Sequence, residues 1–270
     1  MPNYDDIFTQ QPDEGWKEQR QQERAALFGL AEQTALGLND SANMAQYLDT
    51  QAKFPAHSVN NALLIMAQMP AATQVRSFDA WKKAGASIGK GQTAIKILEP
   101  GQPFMGDDKQ MHTPYNVKPV FDITQTDAKP EPAAERGERE LLKALVNYAP
   151  IACVPADTVS GGHAAHFDGK QILVWKGCAP LDLFRGIATE MAAAKLGHGF
   201  GAQCAAYMLC RQHGVEPPAL SVIPKEFYSN DPQAIRGELN KIREVAGDIG
   251  KRMQRNLEPP AKADKPVVPE

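Results

Sequence analysis

The chain has 270 residues and carries 29 Lys and Arg against 32 Asp and Glu, a formal charge of −3, which excludes a generally basic nucleic-acid coat protein and confines any nucleic-acid site to a local patch. Its 43% hydrophobic content can supply the cores of one or two domains at about 100–200 residues each and excludes wholesale disorder. No run reaches the roughly 18 to 20 apolar residues that a spanning helix needs, and the acidic, Gln-rich first residues contain no apolar signal core, so a cytoplasmic protein is expected.

Apolar positions at helical spacing predict a first helix over residues 14–38. Asp40 or Ser41 can cap a second helix that runs to Phe54, and Ser58 a third over residues 59–69, stopped by Pro70. Ser77 caps a short helix, FDAWKK, closed by Gly85; a Gly-containing turn then leads into a strand ending at Pro100, and KPVFDIT reads as a second strand. The segment between them, GDDKQMHTPYN, reads as a polar hairpin loop. Residues 127–136 are charged and Pro-containing and read as a linker, which divides the chain into domains at residues 1–126 and 137–256, with a Pro-rich tail at 257–270 expected to be disordered. The second half begins with a helix over residues 138–148. Asp168 and Gly169 turn AAHF back into KQILVW, and three helices follow, the last over residues 232–253. The order predicts an α+β fold: a helical domain with a small sheet, then a second α+β domain.

Between Arg76 and Leu98 five basic residues, Arg76, Lys82, Lys83, Lys90 and Lys96, face one acid, Asp79, so this segment carries +4 inside an acidic chain. Trp81 and Phe78 lie among them, a mixture that suits single-stranded DNA, whose bases stack on rings while its phosphates meet cations. The alternative is that Trp81 anchors the core and the lysines form a solvated face. At the start of the third helix, Ser58 with Asn60 or Asn61 offers hydroxyl, amide and backbone donors where a phosphate is welcome. Ser58 as a plain N-cap and Asn61 bonded to a neighbouring loop is the competing reading.

The chain over roughly residues 15–126, most specifically over 54–100, also resembles the N-terminal domain of ArdC-type antirestriction proteins, related to the N-terminal part of plasmid TraC-type primases. That family carries a Tyr-Ser-x-x-Asn-x-Leu-Leu-Ile helix, a Phe-x-x-Trp-x-x-x-Gly helix, a Lys-Gly-x-x-Ala-Ile-x-Ile-Leu-x-Pro strand and a Val-Phe-Asp strand. The chain matches at Ser58, Asn61, Leu63, Leu64, Ile65, Phe78, Trp81, Gly85, Lys90, Gly91, Ala94, Ile95, Ile97, Leu98, Pro100, Val120, Phe121 and Asp122, and has His57 where the family has Tyr. The resemblance implies single-stranded DNA binding by the first domain. The residues expected to carry it are His57, Ser58, Asn60, Asn61, Arg76, Trp81, Lys82, Lys83, Lys90 and Lys96.

The same family continues with a zincin-like metallopeptidase domain containing His-Glu-x-x-His and a later carboxylate ligand before an Ala-Tyr-x-x-Cys stretch. Residues 186–195 resemble that helix, and Ala206, Tyr207 and Cys210 that stretch. Thr189, Ala193 and Gln203 stand at the three ligand positions and only Glu190, at the position of the general base, is kept. A zinc hydrolase usually holds its ion with three protein donors and an open water position, which these side chains do not supply. The resemblance therefore implies a catalytically inactive metallopeptidase-like domain with no metal and no cofactor, Glu190 being left as a surface or cap carboxylate. His163, His166 and His198 offer donors for a displaced site, but two histidines at i and i+3 around a hairpin point poorly at one ion. The four cysteines, Cys153, Cys178, Cys204 and Cys210, contain no CxxC pair and are expected to be reduced and mostly buried. A Cys–His nucleophile from Cys178 or Cys210 with His198 or His213 rests on residue types alone.

The expected protein is a single-stranded DNA-binding protein of a mobile element, of the conjugation and antirestriction type, with single-stranded DNA and a protein bound by the second domain as its partners. The rivals are an active zinc metallopeptidase of the ArdC type and a protein-interaction scaffold without DNA affinity.

Overall fold

The computed structural model describes residues 14–106, 108–130 and 135–258. The fold is α+β, as the sequence predicts, and divides into two compact units. The first contains residues 1–131 with Lys225–Gly237, the second residues 132–224 with Glu238–Glu270.

Four helices and a small sheet build the first unit. They are α1 (Glu14–Leu36), α2 (Ser41–Lys53), α3 (Val59–Gln68) and α4 (Phe78–Lys83). Local capping chemistry sets three of the starts: Asp40 accepts from the N–H of Ala42 and Asn43, Ser58 from Asn61 and Ser77 from Ala80. The strands are β1 (Val75–Arg76), β2 (Ile95–Pro100) and β5 (Tyr115–Asp122), in the order β1-β5-β2 with both pairings antiparallel. Helix α3 covers the sheet, and Phe54, Ile65, Ala72, Ile95, Ile97 and Val120 form the shared core.

That leaves β2 with an open edge, a template for unwanted pairing unless something covers it. Helix α3 does so with two side-chain amides. Asn61 donates to the carbonyl of Leu98 and accepts from its N–H, both at 2.9 Å. Gln68, seven residues on and so on the same helix face, does the same to Lys96 at 2.8 and 2.9 Å. These amides act as a surrogate strand for the residues of β2 that face away from β5. Asn61→Ala strands a buried N–H and C=O of Leu98, so a loss of about 2 kcal/mol in unfolding free energy is expected by denaturant titration. Gln68, which is exposed, should cost less.

The second unit has α5 (Glu138–Val146), β6 (Cys153–Ala156), β7 (Ala165–Phe167), β8 (Ile172–Trp175), α6 (Pro180–Leu196), α7 (Phe200–Gln212) and most of α8 (Pro232–Leu257). Its sheet runs β6-β8-β7, β6 parallel and β7 antiparallel to β8. Helix α6 packs on α5, α7 and β7, burying Phe184, Ile187, Ala188, Met191 and Ala192. Its approach to β7 depends on Gly186, where an added Cβ would lie 3.1 Å from the Ala164 Cβ and 3.2 Å from the Ala165 nitrogen. From α8, Arg252 donates to the Leu145 carbonyl and Asn256 to those of Ala144 and Asn147, which fixes α5.

Several expectations change. The segment read as a polar hairpin loop, residues 106–116, includes a strand, β4 (Met111–His112), paired with β3 (Phe104–Met105) just before it, and the start of β5, and β1 and β6 went unforeseen. Residues 127 and 128 pack onto the first unit rather than forming a linker, because the exposed Asp127 accepts from the Ser87 N–H at 2.7 Å and Ala128 packs beside Trp81, Ala86 and Ile123. Residues 131–134 of the expected linker and 259–270 of the expected tail lie outside the described residues, and α8 runs on to Leu257. Lys225–Gly237 groups with the first unit through Arg236, which bonds Asn60 and Glu32. Among the described residues no helix is long and apolar enough to cross a membrane.

Candidate functional site

The residues expected to meet DNA separate into two groups. In one, the polar atoms are already committed to the fold. Asn61 is buried against β2 as described. Ser58 caps α3 by accepting from the Asn61 N–H at 3.3 Å. The Asn60 carbonyl oxygen accepts from Arg236 at 3.2 Å. His57 packs edge-on against Phe54 at 5.9 Å; burial, and then the nearby Lys118 charge, lower its pKa, which favours the neutral ring and weakens it as a phosphate partner. Lys96 pairs with Glu23 of α1 at 2.5 Å.

Trp81 also belongs to this group. It is 2% exposed, its indole N–H donates to the Phe121 carbonyl at 2.8 Å, and the Arg76 guanidinium lies over its ring at 4.9 Å. No open ring face remains on Trp81 for a base. Phe78, at the start of the same short helix, is 55% exposed.

The second group is Arg76, Lys82, Lys83 and Lys90, all exposed. Among the described residues none of these four takes part in an ion pair. Lys82 and Lys83 close the last turn of α4, and Lys90 precedes Gly91, whose φ of 80° makes a turn that a Cβ would strain. Four solvated cations and one exposed ring thus lie within fifteen residues.

In the second unit the expected ligand positions do not fit a metal. Thr189 turns its hydroxyl back onto the Arg185 carbonyl at 2.9 Å, Ala193 has no donor, and the Gln203 side-chain oxygen accepts from the Ser221 N–H at 2.8 Å. Glu190 is not the solvated carboxylate expected. Its side chain is 13% exposed, accepts from the Phe167 N–H at 2.7 Å, and so ties α6 to β7 one turn after the close approach at Gly186. His198 Nδ1 lies 3.6 Å from its carboxylate, and the rings of His166 and His198 are nearly parallel with centroids 5.7 Å apart. His166, Glu190 and His198 together place three ligand atoms within 4.8 Å of one another, a grouping that sequence spacing did not predict. His163 is not in it.

The cysteines are free thiols; burial pushes Cys204 up and Cys210 up to about 12, and raises Cys153 as well. Such thiols carry almost no thiolate at neutral pH, which removes Cys210 as a nucleophile.

No protein-family model matches the chain. An uncharacterized protein of Bacillus anthracis is 29% identical over a stretch that covers 34% of this chain and 20% of its own length, so the chain spans about a fifth of that relative. Among solved structures, the Mn(II)-bound crystal structure of the antirestriction ArdC protein from plasmid R388 is similar at a TM-score of 0.49 and 14% identity, covering 81% of this chain and 99% of that one. The metal-free structure of the same protein gives 0.46 and 14%, covering 73% and 84%.

Proposed function

We propose that the chain is a single-stranded DNA-binding protein of a mobile genetic element, of the conjugation and antirestriction type, whose second unit does not hydrolyse peptides. The observation that carries this reading is that Arg76, Lys82, Lys83 and Lys90, which form no ion pair among the described residues, and the exposed ring of Phe78 fall within fifteen residues of the sequence. Cations that spend no charge on internal acids release counterions when phosphates replace them, and an exposed phenyl ring stacks any base, so binding is expected with little sequence preference. The sequence resemblance to ArdC-type proteins supports the same assignment. Peptide hydrolysis is excluded from it because Thr189, Ala193 and Gln203 leave Glu190 with no ligand-held water at the zincin position.

The test is a titration of the full chain with a labelled single-stranded oligonucleotide and with its duplex at low salt. Saturable binding that prefers the single strand and weakens as salt rises is expected. No binding at low salt overturns the reading in favour of an interaction scaffold, and release of peptide fragments from an unstructured protein substrate overturns the assignment of the second unit.

A further inference from the structure

We infer that the second unit holds one divalent first-row cation, Zn(II) or a close relative, on His166, Glu190 and His198. These residues come from a strand, a helix and the turn between α6 and α7. The turn has Gly197 at φ 78° and Gly199 at φ 134°, conformations that let the chain double back and set His198 beside Glu190. Zinc bound by nitrogen and oxygen at about 2.0–2.2 Å needs donors separated by roughly 3.4 Å in a tetrahedron. The His198–Glu190 separation of 3.6 Å is already close to that, and the three donors lie within 4.8 Å of one another, so side-chain rotation by about an ångström closes the site. His198, 56% exposed, has the room to make that rotation.

The carboxylate is positioned for the task. The Phe167 N–H fixes one oxygen of Glu190, as outer-shell donors do for metal-bound carboxylates, and lone pairs remain for an ion. Two imidazoles beside one carboxylate suit zinc and its neighbours; calcium and magnesium prefer six or more oxygens. A lone His–Glu ion pair would need only one of these rings. The set also differs from the zincin arrangement, since Glu190 becomes a ligand and can no longer act as a proton acceptor. A cation here fastens the α6–α7 turn to β7, with Glu190 spent as a ligand rather than kept as a general base.

The experiment uses the full chain, stripped with chelator, dialysed, and titrated with Zn(II) by calorimetry and with Co(II) by visible absorption. One ion per chain is expected, with the visible bands of a nitrogen- and oxygen-ligated Co(II) and a melting temperature that rises with Zn(II) concentration. His198→Ala should weaken binding by more than the 10–100-fold that loss of an outer-shell partner typically costs. His166→Ala with His198→Ala should abolish it, whereas His163→Ala should leave it unchanged. Because His198 is exposed on a turn, its substitution tests binding without threatening the fold. Absence of stoichiometric binding overturns the inference, as does unchanged affinity in the double variant. DNA binding by the first unit is measured separately and stands or falls independently of either result.

Discussion

Asp122→Ala should lower the unfolding free energy of the first unit by about 3 kcal/mol or more, a large share of the roughly 5–15 kcal/mol that holds a domain. The carboxylate is 0% exposed, yet it is fully satisfied. One oxygen accepts from the N–H groups of Thr73 and Gln74 at 2.7 and 2.8 Å. The other accepts from the N–H and hydroxyl of Thr124 at 3.1 and 2.8 Å. Its own N–H donates to Gln125. Asp122 thus fastens the chain entering β1 to the end of β5. Each hydrogen bond to a charged acceptor contributes about 1.5–3 kcal/mol, but the four donors are only part-buried and water replaces some of the loss, which sets the figure well below their sum.

The same residue predicts a pH dependence. Burial by itself would raise the Asp122 pKa, but the N–H groups of Gln74, Thr73 and Thr124 and the Thr124 hydroxyl outweigh it and hold the carboxyl below its ordinary value. A carboxylate with a depressed pKa contributes stability that is present in full above the ordinary carboxylate range, and that is lost as pH falls from there through the folded value. Chemical denaturation across this acidic window should show the wild type losing stability faster than Asp122→Asn, which lacks the titrating group. Asp108 and Asp168 have lowered pKa values too and remain in both proteins, so the difference between the two curves isolates Asp122. Parallel curves would mean that the carboxylate is not held as charged.

Asp122 also explains what the sequence pattern encodes. Ser58, Asn61, Trp81 and Asp122 are four of the residues that carry the ArdC-type resemblance, and each is a tie within the first unit: an N-cap, an edge cover for β2, an indole bond to Phe121 and the clamp on β1. Those four positions therefore report the fold. Of the residues proposed to meet DNA, Phe78 and Lys90 are matched motif positions, whereas Arg76, Lys82 and Lys83 are not.

Legibility followed the range of the interactions involved. The starts of α2, α3 and α4 could be read because each cap and the backbone N–H that donates to it lie within three residues. Strands β1 and β6 could not: with two and four residues they show no alternation, and their stability comes from partners at Asp122 and Ile172 that only the tertiary fold supplies. Trp81 among lysines reads equally as a stacking platform or a core anchor, and the bond that decides it reaches across 40 residues. His166, Glu190 and His198 have no motif spacing, because the contact of β7 with α6 and the two-glycine turn, rather than one helix face, bring them together.

Replacing Arg76, Lys82, Lys83 and Lys90 together by alanine should remove most of the salt dependence of single-strand binding. On a single strand the log–log slope is about −0.7 for each phosphate neutralised, so four contacts give about −2.8, or roughly a fiftyfold weakening between 50 and 200 mM salt. The variant should lose that component and bind weakly at all salt concentrations. All four side chains are exposed, and surface substitutions of this kind usually change stability by about 0.5 kcal/mol or less each, so the protein remains folded for the comparison. Arg76 also lies over Trp81, and a triple variant that keeps it should still flatten the slope by about 2.1. Phe78→Ala supplies the complementary result. Losing a stacking ring costs about 1–3 kcal/mol of affinity while leaving the slope alone, because no phosphate is released. Trp81→Ala cannot serve this purpose, since it empties the core and breaks the bond to Phe121. An unchanged slope in both lysine variants would move the DNA-binding surface away from α4 and the turn at Lys90.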